Sequence, residues 1–150
     1  MTRTVVVGVD DSAESHAALR WAARYADMTG GSLTAVVVWD VPVQPVVPGQ
    51  MAISTAMPNT DELEDTVARR LADALVETLG ADRAAQVDKQ VVTGDPAAAL
   101  LEQSAESDML VLGNGHHGAL VGALTGSVGL RCLHHAECPV VLVPAGVEEA

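Results

Sequence analysis

Apolar residues in this chain gather in five short runs, separated by stretches in which they recur at helical spacing or not at all. Four runs consist almost wholly of aliphatic residues, which is typical of strands buried on both faces of a parallel sheet. The third run is interrupted by polar residues at positions 88–90, so we place it near a sheet edge. The predicted strands are Thr4–Val9, Leu33–Trp39, Val87–Val92, Met109–Leu112 and Val140–Val143.

Helices are predicted between these strands from apolar periodicity and from capping residues. Leucine or valine recurs at every fourth position from Leu63 to Leu79. Strand and helix alternate along the chain, which predicts a single α/β domain over residues 1–150 built on a doubly wound parallel sheet. The boundary signals are Ser12 before the first helix, Gly30 or Gly31 after it, Gly80 after the second, Asp95–Pro96 before the third, and Ser127 to about His135 for the last.

One long irregular stretch, residues 40–58, interrupts the alternation and contains four of the seven prolines. Loops of this length are uncommon in compact domains. Both a lid over a binding site and a surface excursion fit this stretch.

The most distinctive local feature is a glycine-rich stretch after the fourth strand, with five glycines between Gly113 and Gly126. A strand, a glycine-rich loop and a helix start in that order form an arrangement that binds phosphate groups. Glycine lets the backbone approach a ligand, and the free N–H groups of a helix start point at an anion. We therefore predict that a nucleotide binds here, with the helix starting at Gly126–Ser127.

A second polar feature, Asp10-Asp11-Ser12, follows the first strand. Ligands of open parallel sheets bind outside the carboxyl ends of the strands, where the strand order changes direction. If strands one and four are neighbours, their loops flank one crevice. Phosphate contacts would then lie on one side, and a carboxylate for ribose, adenine or a metal on the other.

Two familiar nucleotide motifs do not fit the glycine-rich stretch. Gly113, Gly115 and Gly118 form a literal GxGxxG, but the dinucleotide fingerprint belongs in the first strand-to-helix turn and needs an acid about 20 residues further on. The phosphate-binding loop of NTPases fails as well, because no lysine precedes Gly126–Ser127.

Composition narrows the class of partner and the compartment. The net charge of −12 argues against nucleic acid, since phosphate backbones are bound by clustered Lys and Arg. No signal-peptide pattern is visible, and no apolar run approaches the roughly 20 residues of a membrane span. Cys132 and Cys138 match no zinc or redox spacing, so we expect free thiols in a reducing compartment and a cytoplasmic location.

A different spacing fits the glycines. Gly113, position 116 and Gly126–Ser127 follow the pattern G-x2-G-x9-G-[S/T], and with other segments they make the chain resemble the universal stress protein family over its whole length. Those segments are Val6-Val-Gly-Val-Asp10, Ala18-Leu-Arg-Trp-Ala22, Gly94-Asp-Pro-Ala97 and His134-His-Ala-Glu-Cys-Pro-Val140.

This resemblance implies strand order 3-2-1-4-5, ATP binding as in many members, and a homodimer that often pairs the last strand, here Val140, Val141, Leu142 and Val143. By matching positions, Asp10 and Val38 would contact adenosine. Gly113, Gly126, Ser127 and Val128 would surround ribose and phosphates. The full set of candidate nucleotide-binding residues is Gly8, Val9, Asp10, Val38, Leu112, Gly113, His116, Gly126, Ser127 and Val128.

Two positions depart from the family pattern. His116 stands where the second glycine is expected, and it either donates a hydrogen bond to phosphate or narrows the pocket and abolishes binding. Asp11, where glycine is usual, adds negative charge. Without a phosphate-binding lysine, the site needs backbone N–H groups, Ser127 and Mg²⁺ to offset a triphosphate.

Three functions follow as hypotheses. The first is a regulatory protein of the stress response that binds ATP with Mg²⁺. Its alternative is a nucleotide-free dimeric interaction module of the same fold. The third, an enzyme using a dinucleotide, rests on GxGxxG alone. No nucleophile is accompanied by a base, so we assign no catalytic residue, no protein-held metal and at most slow ATP hydrolysis.

Overall fold

A computed structural model of the chain describes residues 3–39, 60–114 and 122–146, with the side chains of residues 60 and 122–126 left out. The predicted loop 40–58 and His116 lie outside the described residues.

Five parallel strands form one sheet in the order β3-β2-β1-β4-β5. The all-parallel sheet and its order are as expected, and polar β3 lies at an edge. Strand β1 is central, with Val6 opposite Thr34 on one side and Leu110 on the other. The strands are β1 Thr4–Gly8, β2 Ser32–Trp39, β3 Asp88–Thr93, β4 Met109–Asn114 and β5 Val140–Pro144.

The helices are α1 Ala13–Thr29, α2 Thr60–Leu79, α3 Ala81–Ala84, α4 Pro96–Ser104 and α5 Gly122–His135. Three predicted boundaries are confirmed by their geometry. The Ser12 side chain accepts the Ser15 N–H, Gly30 ends α1 in the left-handed region at φ 67°, and Asp95 caps α4 through the Ala98 N–H. Boundary chemistry therefore determines where α1 and α4 begin.

Two features of the helices differ from prediction. The single turn α3 was not foreseen, because four residues are too few for a periodic pattern. The predicted start of the last helix at Ser127 is wrong, since α5 begins at Gly122. Glycine inside a helix costs about 1 kcal/mol relative to alanine, so Gly122 and Gly126 suggested a loop where the chain is already helical.

The core has two layers, one on each face of the sheet. Helices α1 and α2 cover one face, where Leu19, Leu33 and Leu75 are fully buried. Helices α4 and α5 cover the other, around Leu100, Leu110 and Cys132. Helices therefore cover both faces of the sheet. None of the helices in the described ranges is long and apolar enough to cross a membrane.

Candidate functional site

A cavity of about 220 Å³ opens at the carboxyl ends of β1, β2 and β4, between the sheet and helices α4 and α5. Its position is the one at which parallel sheets bind ligands, because the strand order changes direction between β1 and β4. The walls are mostly aliphatic. We call it the first cavity; it is lined by Gly8, Val9, Asp10, Ser12, Ser15, Val36, Val38, Pro96, Leu100, Leu112, Gly113, Val128 and Gly129.

Most of the candidate binding residues meet in this cavity, although they come from four separate parts of the chain. Those lining it are Gly8, Val9, Asp10, Val38, Leu112, Gly113 and Val128. Ser127 is not among the described residues that line it and directly precedes Val128 on α5, whereas Gly126 is one of the residues whose side chains are left out. The structure therefore joins the ends of β1 and β4 in one crevice, as the sequence predicted.

Asp10 is held in place by a short hydrogen-bond network at the start of α1. Its Oδ1 accepts the Ser12 N–H at 2.8 Å. Its own N–H donates to the Ser15 hydroxyl at 3.0 Å, and that hydroxyl donates to the Asp10 carbonyl at 2.7 Å. Ser15 is 3% exposed and was missed from sequence. Its only signal was a second serine three residues after the cap.

Gly113 is required by packing whether or not a ligand binds beside it. A Cβ built at this position would lie 2.6 Å from the Glu14 carbonyl carbon and 2.8 Å from the Ser15 nitrogen. Both are backbone atoms of the first turn of α1, and they cannot move aside as the end of a flexible side chain can. The glycine thus lets α1 rest directly on β4, and this contact brings the Asp10 turn to the end of β4.

Gly8 forms part of the cavity wall. A Cβ here would approach the side chain of Leu112 to 2.8 Å and that of Leu100 to 3.2 Å. Its missing side chain therefore keeps space open between β1 and α4.

An ion pair joins α4 to α5 beside the first cavity. Nη1 of Arg131 lies 3.2 Å from Oδ1 and 3.1 Å from Oδ2 of Asp95, the residue before the lining residue Pro96. The Ala98 N–H and then the Arg131 guanidinium stabilise the carboxylate, so the pKa of Asp95 is lowered from its usual 3.8. Asp95 thus serves both as helix cap and as bridge.

The start of α5 changes how an anion would be held. In a helix beginning at Gly122, the free N–H groups belong to the first four residues, and the Ser127 N–H lies further along. The predicted helix start at Gly126–Ser127 is therefore not where the α5 N–H groups are exposed. Ser127 is nevertheless exposed, and the next residue, Val128, lines the first cavity.

A second cavity of about 200 Å³ lies on the α2 side of the same strand ends. It shares Val9, Asp10 and Val38 with the first cavity and was not predicted. Asp11 faces this second cavity and not the first. Its other lining residues are Val37, Trp39, Val67, Arg70, Leu71 and Ala74.

Metal ligands and cysteines add little to either cavity. Within the described ranges, no three His, Cys, Asp or Glu side chains converge on a metal position. Cys132 and Cys138 are free thiols, as expected. Burial raises the pKa of the Cys132 thiol, which keeps it protonated within the core.

The fold and the first cavity define an α/β protein with a cavity at the carboxyl ends of parallel strands. A family model described as the universal stress protein family matches residues 1–144. The chain belongs to the universal stress protein family.

Curated relatives in mycobacteria support this assignment. Universal stress protein Rv2005c of Mycobacterium tuberculosis is 37% identical over 139 residues, which covers 93% of this chain and 47% of the relative. A universal stress protein of Mycolicibacterium smegmatis is 36% identical over 146 residues, with the same shares covered. The chain therefore spans about half the length of these relatives.

Solved structures show the same fold. UspA from Lactobacillus plantarum superposes with a TM-score of 0.71 at 24% identity, over 94% of this chain and 97% of that one. A universal stress protein in complex with cAMP has a TM-score of 0.62 at 24% identity, over 94% and 95%. The universal stress protein from Archaeoglobus fulgidus in complex with dAMP has a TM-score of 0.57 at 19% identity, over 94% of this chain and 97% of that one.

Proposed function

We propose that this chain binds an adenine nucleotide, ATP in particular, in the first cavity, as a regulatory protein of the stress response. The observation that carries the proposal is the meeting of the Asp10 turn and the end of β4 at one cavity. Structures of relatives with cAMP and with dAMP support an adenine ligand.

The lining residues suggest how the ligand lies. Val38 and the aliphatic wall would contact the base, and the Asp10 carboxylate would accept hydrogen bonds from ribose hydroxyls. The backbone at Gly113, the Ser127 hydroxyl and the turn containing Val128 and Gly126 would surround the phosphates. Gly8, Val9 and Leu112 would form the floor.

We propose that Mg²⁺ arrives with the triphosphate. Mg²⁺ typically keeps several waters and takes one or two carboxylates together with substrate phosphates. If Asp10 supplied such a ligand, it would do so in place of the ribose contact, and the ion would offset phosphate charge.

Thermal unfolding with and without nucleotide tests the proposal. Millimolar ATP with Mg²⁺ is expected to raise the melting temperature, because a ligand at about 100 times its Kd stabilises the folded state by about 2.7 kcal/mol. Mg²⁺ alone and NAD are the controls. Asp10→Asn, which keeps an oxygen for the Ser12 N–H, should reduce the shift. No shift with ATP would contradict the proposal and favour the nucleotide-free module, whereas a shift with NAD alone would favour the dinucleotide enzyme.

We expect His116 to affect phosphate binding because it stands where the family pattern has its second glycine, and His116→Gly distinguishes the two roles predicted for it. Tighter ATP binding by the variant would mean that the imidazole obstructs the pocket. Weaker binding would mean that it contacts the ligand. Isothermal titration calorimetry on both proteins measures the difference.

We also propose a homodimer that forms through β5. In the described part of the chain β5 pairs with β4 on one side only, and Val140, Val141 and Leu142 are partly exposed. An open apolar strand edge favours pairing with another chain. Light scattering at micromolar concentration should give twice the monomer mass, and a monomer would contradict the proposal. Cytoplasmic location remains a prediction.

A further inference from the structure

The segments that line the first cavity carry no lysine or arginine. Neither residue type occurs in residues 4–19, 25–68 or 90–130, and all of the lining residues fall within these stretches. Arg131 comes two residues after the lining residue Gly129 on α5, and no other lysine or arginine lies so near a lining residue along the chain. On the α5 side of the first cavity, Arg131 is therefore the cation available to a ligand with several negative charges, whereas Arg70 lines the second cavity on the α2 side.

Arg131 is placed on the turn of α5 that follows the proposed phosphate position. It comes four residues after Ser127 and three after Val128, and residues at these spacings are neighbours on a helix, about 5–6 Å apart between Cβ atoms. Its guanidinium is turned toward α4, where Nη1 contacts both carboxylate oxygens of Asp95. The guanidinium therefore contacts Asp95 while its helix position is one turn after Ser127.

The Asp95–Arg131 pair is suited to an exchange of partners. The two side chains are about half exposed, at 50% and 54%, so the guanidinium can rotate without leaving a buried charge behind. Asp95 keeps the Ala98 N–H at 2.9 Å when Arg131 leaves. Phosphate competes well for a guanidinium, because its oxygens match the planar array of N–H donors.

We propose that Arg131 determines the preference of the site for ATP over adenosine, by leaving Asp95 and pairing with the phosphates, and that Asp95 is its internal competitor. This inference rests on the proposed nucleotide function and assigns the phosphate-dependent part of the affinity to one side chain. Adenosine, which lacks phosphates, should be indifferent to the pair.

Calorimetry with Mg²⁺ on the full chain tests the inference, with ATP and adenosine as the probes. Arg131→Gln should weaken ATP binding by about tenfold, the effect of losing a charge-assisted hydrogen bond, and leave adenosine within twofold. Asp95→Asn should tighten ATP binding several-fold, because asparagine keeps the helix cap but competes less for the guanidinium. Arg131→Lys should restore part of the ATP affinity.

Arg69→Gln on α2 is the matched control. It removes one positive charge from an exposed helix position on the opposite face of the sheet, so it should bind both probes as the natural chain does. Circular dichroism and melting temperature verify that each variant folds. The ratio of the two dissociation constants is the quantity compared, and it is unaffected by a loss of active protein.

Several outcomes would overturn the inference. An unchanged ratio of ATP to adenosine affinity in Arg131→Gln would show that Arg131 does not contact the phosphates. Equal weakening of both probes would show that Arg131 only supports the packing of α4 and α5. If the natural chain binds neither probe, the proposed function fails and the inference fails with it; if it binds both and the ratio is unchanged, the inference fails alone.

Discussion

Gly113 shows at the scale of one residue how a residue predicted for binding can also be required by packing. The spacing of the glycines predicted a place where a ligand meets backbone, and the residue does line the first cavity. The backbone it meets most closely is that of Glu14 and Ser15. A contact between residues so far apart in the sequence leaves no local pattern, so only coordinates could reveal it.

Gly113→Ala should destabilise the fold by roughly 1–3 kcal/mol, the usual effect of overpacking a close contact. The methyl group would push against the backbone of α1, and the Asp10 turn would shift with it. Urea unfolding measures the change in the free energy of unfolding.

Gly129→Ala is the control for this substitution. Its Cβ would lie 3.4 Å from Leu142, an ordinary contact, and alanine is the better helix former. Gly129→Ala should therefore be neutral or stabilising, and equal losses in the two variants would contradict the packing role of Gly113.

The helix ends show what could be predicted at the scale of elements. Ser12, Gly30 and Asp95 were recognised because a cap requires particular side chains or a left-handed conformation at one position. The start of α5 was placed wrongly because glycine spacing suits a loop and does not forbid a helix. The role of Ser15 was missed because a serine in the first turn of a helix is common, and only the structure shows that it is hydrogen-bonded to Asp10.

The Asp95 carboxylate should make the packing of α4 on α5 less stable at low pH. Its pKa is lowered in the folded chain, chiefly by the Ala98 N–H and then by Arg131. Its contribution is therefore complete above its usual pKa of 3.8 and is lost as pH falls through the lower, folded value.

Melting curves between pH 3 and 7 test this dependence. The melting temperature of the natural chain should exceed that of Asp95→Asn at neutral pH, and the difference between the two should shrink below pH 3.8. Glu102→Gln, a charge removal elsewhere on α4, controls for net charge. A difference that stays constant down to the lowest pH would contradict the assignment.

At the scale of the whole molecule, the alternation of strand and helix predicted the class of fold, and the family resemblance implied the strand order. The first cavity followed, because the order 3-2-1-4-5 places the ends of β1 and β4 together. The second cavity could not be predicted, since it depends on how closely α2 packs on β2 and corresponds to no motif.

Filling each cavity separately identifies the one that holds nucleotide. Gly8→Ala places a methyl group against Leu100 and Leu112 in the first cavity and should weaken ATP binding about tenfold, equivalent to about 1.4 kcal/mol. Ala74→Val adds volume to the second cavity and should leave ATP binding unchanged. Calorimetry compares the two, and the reverse result would move the nucleotide to the α2 side.

The close packing of the first turn of α1 against β4 also limits which chimeras between relatives of this chain can fold. Gly113 packs closely against the first turn of α1, and Ser15 in that turn is hydrogen-bonded to Asp10. A donor segment that carries one of these three parts therefore needs the other two. Recombination points between β1 and α1, or within β4, should yield poorly folded hybrids. Exchanges that keep both elements from one parent should be tolerated.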